Sequence, residues 1–385
     1  MARRQETQGM HVRPARLIAA LSLIATIGGS CTSATPASQP PETGTHSPTG
    51  VTTTPAPITS QSIAISPPTT TNSSRVVLVT SLHHVVAKLA PGEGVLYALV
   101  GSNNFGSMQV LRIDPASRTI KYGPKIDGAM DLALSGDSVW VTDGGGARRW
   151  LIRLDASSLS VQDRIELPTS PSDLIVGPAG VWVGAVGHLY LIDPSTGTLE
   201  RTVPIHGEVG RLTIDVTDGL LYDSTHPVGD LSVDTLEERD GTTGELRVRS
   251  AADRGLLAMN SMSAVRDGVW VSFASGNMGG AALEGRADLH RLAPPHEGAD
   301  IGTNAILASV AGGILWITPG EGVWCAGPQS GKVRAWVPFV RRTEQATTPV
   351  VELDGKFYAG ALNQGTGASV GLVRIDPGNA CGPVG

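Results

Sequence analysis

Long apolar runs are missing from this chain. The stretch from Leu17 to Ile27 holds only eleven residues, against the roughly twenty a helix needs to cross a hydrocarbon core. A mature transmembrane helix is therefore not expected there. Charge is scarce at 17% of residues, and only five of the 29 basic residues are lysines. Without a dense Lys/Arg run, and with 35 acidic residues, the chain lacks the footprint of a general nucleic-acid binder. Familiar catalytic signatures are absent too. The histidines show no zinc spacing such as H-E-x-x-H, and neither a G-x-S-x-G elbow nor a phosphate-binding P-loop occurs. Asp143-Gly144-Gly145-Gly146 falls in a hairpin between expected strands, not at a helix start, so it is no nucleotide loop. No cofactor is expected.

Turn formers, by contrast, are plentiful. The 48 glycines and 26 prolines point to many short strands joined by tight turns, and so to an all-β chain. Four arginines (Arg3, Arg4, Arg13, Arg16) precede the Leu17–Ile27 run, and Gly28-Gly29-Ser30-Cys31 follows it. That is the layout of an export signal over residues 1–30. The Gly-Ser-Cys ending resembles a bacterial lipobox, with Cys31 as the lipidated first residue; Gly28 stands where Leu, Val or Ile is usual. Between residues 32 and 74, 28 of 43 residues are Ser, Thr or Pro. Such a segment buries too little apolar surface to offset ordering entropy and is expected to be a disordered linker over residues 31–74. The expected location is the outer face of a bacterial cell membrane, held by lipid.

From residue 75 onward one phrase recurs seven times: a turn with Gly or Asp, an aliphatic residue, then an aromatic. The aromatics are Tyr97, Trp140, Trp182, Tyr222, Trp270, Trp316 and Tyr358, spaced by 43, 42, 40, 48, 46 and 42 residues. A period of about 40 to 50 with short strands predicts a β-propeller, here with seven blades over residues 75–385. One aromatic per blade on the second strand reads as packing between neighbouring sheets, not as a ligand cage. The last repeat runs out of chain before a fourth strand, while Val76-Val77-Leu78-Val79-Thr80 has no hairpin partner of its own. Pairing the two would let the N-terminal strand complete the last blade and close the ring. The fourth and fifth repeats, with longer stretches around residues 225–243 and 275–287, depart most from the pattern.

The third repeat, with Val181-Trp182-Val183 and then Leu189-Tyr190-Leu191-Ile192-Asp193-Pro194-Ser195-Thr196-Gly197-Thr198-Leu199, resembles the YVTN-type repeat of extracytoplasmic bacterial propellers. The resemblance is specific for fold, not for function. If Cys31 carries lipid, Cys325 and Cys381 form an even pair in an oxidising compartment, on adjacent blades, and a disulfide is expected. The densest polar constellation is Asp218, Asp223, His226 and Asp230. His226 and Asp223 are weak metal-ligand candidates, with loop solvation as the plainer explanation. The chemistry thus favours a monomeric, non-enzymatic module binding a protein, glycan or small ligand at one ring face. The alternative is a metal-dependent lyase or hydrolase resembling the streptogramin lyases, although the tryptophan-docking signature of quinoprotein propellers is missing.

Overall fold

The computed structural model describes residues 75–381 apart from 102–106, 146, 229–234, 252–256, 267, 275–286, 293–306, 319–321, 340, 342 and 364–365. The export signal, Cys31, the linker, Asp230 and most of the 275–287 stretch lie outside the described residues. What is described is all β apart from one short 3-10 turn, and none of its helices is long and apolar enough to cross a membrane.

Strand β1 (Arg75–Thr80) is followed by two four-stranded antiparallel meanders. The first comprises β2 (Val85–Pro91), β3 (Leu96–Gly101), β4 (Met108–Asp114) and β5 (Thr119–Ile126). The second comprises β6 (Ala129–Ser135), β7 (Ser138–Asp143), β8 (Trp150–Asp155) and β9 (Val161–Glu166). A six-stranded sheet follows, from β10 (Pro171–Gly177), β11 (Gly180–Ile192), β12 (Leu199–Asp215), β13 (Leu220–His226), β14 (Thr235–Asp240) and β15 (Leu246–Ala251). Then come a three-stranded sheet of β16 (Leu257–Val265), β17 (Gly268–Ala274) and β18 (Ala287–Leu292), and a four-stranded one of β19 (Ala308–Ala311), β20 (Ile314–Ile317), β21 (Gly322–Ala326) and β22 (Val333–Pro338). The last sheet holds β23 (Glu344–Ala346), β24 (Val351–Leu353), β25 (Lys356–Asn363) and β26 (Ser369–Asp376), with β1 on its outer edge.

This corrects the expectation of seven separate sheets. Among the described residues six sheets form, and only five of them have four or more strands. The third and fourth repeats share one sheet because β12 does not break where two strands were expected. It serves first as the outer strand beside β11 and then as the inner partner of β13. Gly207 makes the passage possible. Its φ is +98°, and a Cβ there would lie 2.0 Å from the carbonyl oxygen of His226, so only glycine fits the crossing.

The first strand of each repeat lies innermost. β2 touches β6, β6 touches β10, and the contacts continue through β12, β16, β19 and β24 back to β2. Side chains fasten these inner strands to one another. Asp131 Oδ2 accepts from the amide of Leu174 at 3.3 Å and Asp173 Oδ2 from that of Leu212 at 2.7 Å. Further round, Thr213, Ser263 and Ser309 hydroxyls accept from the amides of Ala264, Val310 and Val350. Inner-strand amides that face a neighbouring blade are thereby satisfied, as buried backbone groups must be.

The seven repeated aromatics are all buried, none more than 4% exposed. Each belongs to a different apolar cluster, and the clusters join residues of successive repeats. Trp140, for instance, packs with Val181 and Val183. Several reach the turn after the third strand of the following repeat. Tyr97 Oη donates to Ala156 O at 3.0 Å, Trp182 Nε1 to Gly241 O at 2.9 Å and Trp270 Nε1 to Pro328 O at 2.6 Å. The aromatic's ring fills the gap between blades while its polar edge meets a turn that is fixed in place.

Closure uses both chain ends. β1 runs antiparallel to β26, with Arg75 opposite Asp376 and Thr80 opposite Leu372. Beyond β26 a 3-10 turn (Gly378–Cys381) carries Cys381 into a disulfide with Cys325 of β21. Both cysteines are fully buried.

Two stability measurements follow. Reducing the disulfide, or replacing both cysteines by serine, should lower unfolding free energy by roughly 2–4 kcal/mol, as expected for a crosslinked loop of this size; an unchanged denaturant midpoint would show that the seam holds without it. Trp182→Ala should cost about 3–5 kcal/mol, and a loss under about 1 kcal/mol in the same assay would remove this residue from the load between blades.

Candidate functional site

The polar constellation expected in the fourth repeat does not assemble. Asp218 is exposed in the turn that precedes β13, and its amide is bonded to Asp215. His226 ends the same strand, so the two lie a strand's length apart. Asp223 and His226 are three positions apart on β13, which sets their side chains on opposite faces. Neither is a solvated loop residue, contrary to the plainer reading: Asp223 is wholly buried and His226 is 3% exposed.

Asp223 is committed to an internal ion network instead. Arg239 Nε lies 2.8 Å from its Oδ1, and the same guanidinium also contacts Glu237 Oε2 and the Gly244 carbonyl. Arg249 closes the network on Glu237 Oε1 at 2.7 Å. Asp223 follows its aromatic Tyr222 where Val141 and Val183 follow theirs, so a charged network takes the place of apolar packing in this repeat. Burial pushes the Asp223 carboxyl up to about 7, against the pull of Arg239 and with the help of Glu237. His226 Nε2 stands 3.9 Å from Glu208 Oε2 across the β12–β13 pairing. Among the described residues, no three His, Cys, Asp or Glu side chains gather as metal ligands.

A different set of charged residues does converge. The inner strands begin at one end of the ring, the mouth, and there Lys88, Asp131 and Asp173 near the starts of β2, β6 and β10 stand side by side with Arg211, near the start of the inner segment of β12 that pairs with β13. The register is the same in each: a bulge just before the residue, then pairing with Leu99, Thr142, Gly184 and Ser224, two positions beyond the repeated aromatic. Lys88 Nζ lies 2.9 Å from Asp131 Oδ1 and 3.4 Å from Asp173 Oδ1, linking three inner strands through one ammonium. Further round, the layer continues with Ser261 on β16, Leu307 just before β19 and Thr347 just after β23, none of them charged.

Burial sets the protonation of this arc. It pushes Asp131 up to about 7, opposed by Lys88 and reinforced by Asp173. For Asp173 burial is outweighed by Lys88, a hydrogen bond from Asp131, Arg211 and the Leu212 amide, and its carboxyl stays below the usual range. Burial would lower Lys88, but Asp131 and Asp173 together hold it above its usual value. A hollow of about 680 Å³ opens at the same end, beside His83, His84 and Ser369. The arc was legible in principle: Lys88, Asp131 and Asp173 each precede their aromatic by nine positions, as Ser261 and Leu307 do, and Arg211 by eleven. Aligning the repeats on the aromatics would have exposed it.

A closed ring of antiparallel meanders with its polar residues on the axis defines the chain as an all-β propeller. Two solved structures agree. The chain resembles the Kuenenia stuttgartiensis hydrazine synthase structure at 12% identity, with a TM-score of 0.59 over 78% of this chain and 98% of that one. It also resembles the Neurospora crassa Pan2 WD40 domain at 9% identity, with a TM-score of 0.56 over 80% and 97%. Identities this low carry the fold alone. No family model and no curated protein matches the chain in sequence.

The shifted carboxylates set a pH profile. Asp131 and Asp223 are held above the ordinary value of 3.8, so the folded state keeps protons that the unfolded chain releases. Their contribution is full below about pH 4 and declines as pH rises to about 7. Asp155, Asp193 and Asp240 sit near 2, held there first by hydrogen bonds within their turns, and their contribution disappears as pH falls from about 4 toward 2. The melting temperature should therefore peak in mild acid and fall on both sides, and Asp131→Asn should flatten the limb between about pH 5 and 7. A melting temperature that climbs steadily from pH 5 to 8 would contradict this.

Proposed function

We propose that the chain is an extracytoplasmic binding module: a seven-bladed propeller, tethered by a lipidated Cys31 and the linker over residues 31–74, that presents the mouth of its ring to a ligand. One observation carries the reading. β1 starts beside Asp376, at the end of the ring that holds the third-strand turns, and runs toward the mouth. The linker thus joins the ring at the end opposite Lys88, Asp131, Asp173 and Arg211. A surface anchored by that linker would turn the charged mouth outward.

Seven blades are favoured by the seven inner strands that contact one another in a cycle and by the seven aromatics in seven clusters. The shared sheet of the third and fourth repeats is then two blades joined through β12. The YVTN resemblance agrees with an envelope location, and the buried disulfide suits an oxidising compartment. No observation favours the lyase or hydrolase alternative, since Asp223 is spent on Arg239 and points away from His226. Propellers serve many functions, so the site rather than the fold must decide.

The test has two arms in the source cell envelope. Detergent-phase partitioning of the full chain should be lost in Cys31→Ser; partitioning that persists would remove the lipid anchor. A photoreactive residue at Met130, exposed at the mouth, should cross-link a ligand that one at Val216, exposed at the opposite end, does not. Equal labelling, or labelling from Val216 alone, would overturn the assignment of the mouth.

A further inference from the structure

The charged arc is one-sided in a second sense. Its anions lie behind and its cations in front. Asp131 and Asp173 are 6% and 3% exposed, and their oxygens are taken up by the amides of Leu132, Leu174 and Leu212 and by Lys88. The Lys88 side chain remains 28% exposed, and Arg211 is half-buried, with Nη1 donating to the Gly210 carbonyl at 2.9 Å. Both carboxylates thus lie behind the one ammonium, with their oxygens already engaged by backbone amides and Lys88. Thr347 follows Lys88 around the ring on its other side. Its hydroxyl is buried and has no hydrogen-bond partner among the described residues. Glu208, 18% exposed on the same strand as Arg211, is turned to His226.

We propose that the mouth seats a small oxyanion, the carboxylate or phosphate group of a ligand, against Lys88 and Arg211. This rests on the mouth being the ligand-facing end. A guanidinium offers parallel N–H donors that match two oxygens of such a group, and an ammonium adds a compact charge. The buried aspartates hold Lys88 in place from behind, since their oxygens are turned to backbone amides and to the ammonium while the cations keep the exposed side.

Titration calorimetry on the full chain at low ionic strength tests this, with inorganic phosphate and galacturonate as probes. Saturable binding of at least one probe is expected, weakened about tenfold or more by Arg211→Gln, as for loss of one charge-assisted contact, and likewise by Lys88→Met. Arg148→Gln is the control: this arginine lies at the same end but outside the arc, paired with Asp127, and its loss should leave binding unchanged. Preference for phosphate assigns the seat to a phosphate or its ester, and preference for galacturonate to a sugar carboxylate. Lys88→Met strands two buried carboxylates and can fail to fold, so Arg211→Gln carries the decision. Binding of neither probe, undiminished binding by Arg211→Gln, or equal weakening by Arg148→Gln overturns the proposal. Cross-linking confined to the mouth without oxyanion binding would sink this inference and leave the binding-module reading intact.

Discussion

A propeller of this kind depends on fastening each inner strand to the next, because its sheets pack face to face and share no backbone ladder at most joints. Here a side chain on one inner strand accepts from an amide on the following one: Asp131 from Leu174, Asp173 from Leu212, Thr213 from Ala264, Ser263 from Val310 and Ser309 from Val350. Each bond contributes only about 1 kcal/mol net, but leaving such an amide buried and unmet would cost more. The aromatics act at greater radius and fill the wedge between sheets. Tyr97, Trp182 and Trp270 also bond to a turn of the next repeat. Strand order, blade spacing and the placing of the mouth all follow from these two sets of contacts.

The charged arc is an exception to this economy. Hydroxyl groups suffice on the joints from Thr213 onward, yet the joints of the first repeats use carboxylates with Lys88 and Arg211. Burying two carboxylates against one ammonium carries a desolvation cost that apolar or hydroxyl residues would avoid. The Asp223, Arg239 and Glu237 network shows the same cost incurred within one repeat, sealed off from the axis. The difference in exposure separates the two: Arg239 is 3% exposed, whereas Lys88 keeps 28% of its side chain open. An ionic cluster that opens on the axis can serve a ligand, and one that is closed off serves packing.

Closure relies on both chain ends. β1 covers the outer edge of the last sheet, and the Cys325–Cys381 bond fixes the segment after β26 to the neighbouring sheet. Without the first, β26 would offer an unpaired strand edge. The direction of β1 places its first residue, Arg75, beside Asp376 at the end of the ring opposite the mouth.

Periodicity determined much of this protein. The seven aromatics marked the second strand of every repeat, the unpaired strand at residues 76–80 marked the closing partner, and the spacing of Cys325 and Cys381 on adjacent repeats marked the disulfide. These were legible because each depends on local pattern or chain order. Sheet boundaries were not: β12 continues through an expected break at Gly207, where the left-handed backbone and the closeness of the His226 carbonyl require glycine. The constellation of Asp218, Asp223 and His226 misled for a related reason, since nearness in sequence says nothing about which face of a strand a side chain takes or which arginine it meets. Lys88, Asp131, Asp173 and Arg211 are spread over more than a hundred positions, and the packing of successive inner strands against one another made them neighbours; their equivalence was in the repeat pattern, their contact only in the tertiary structure.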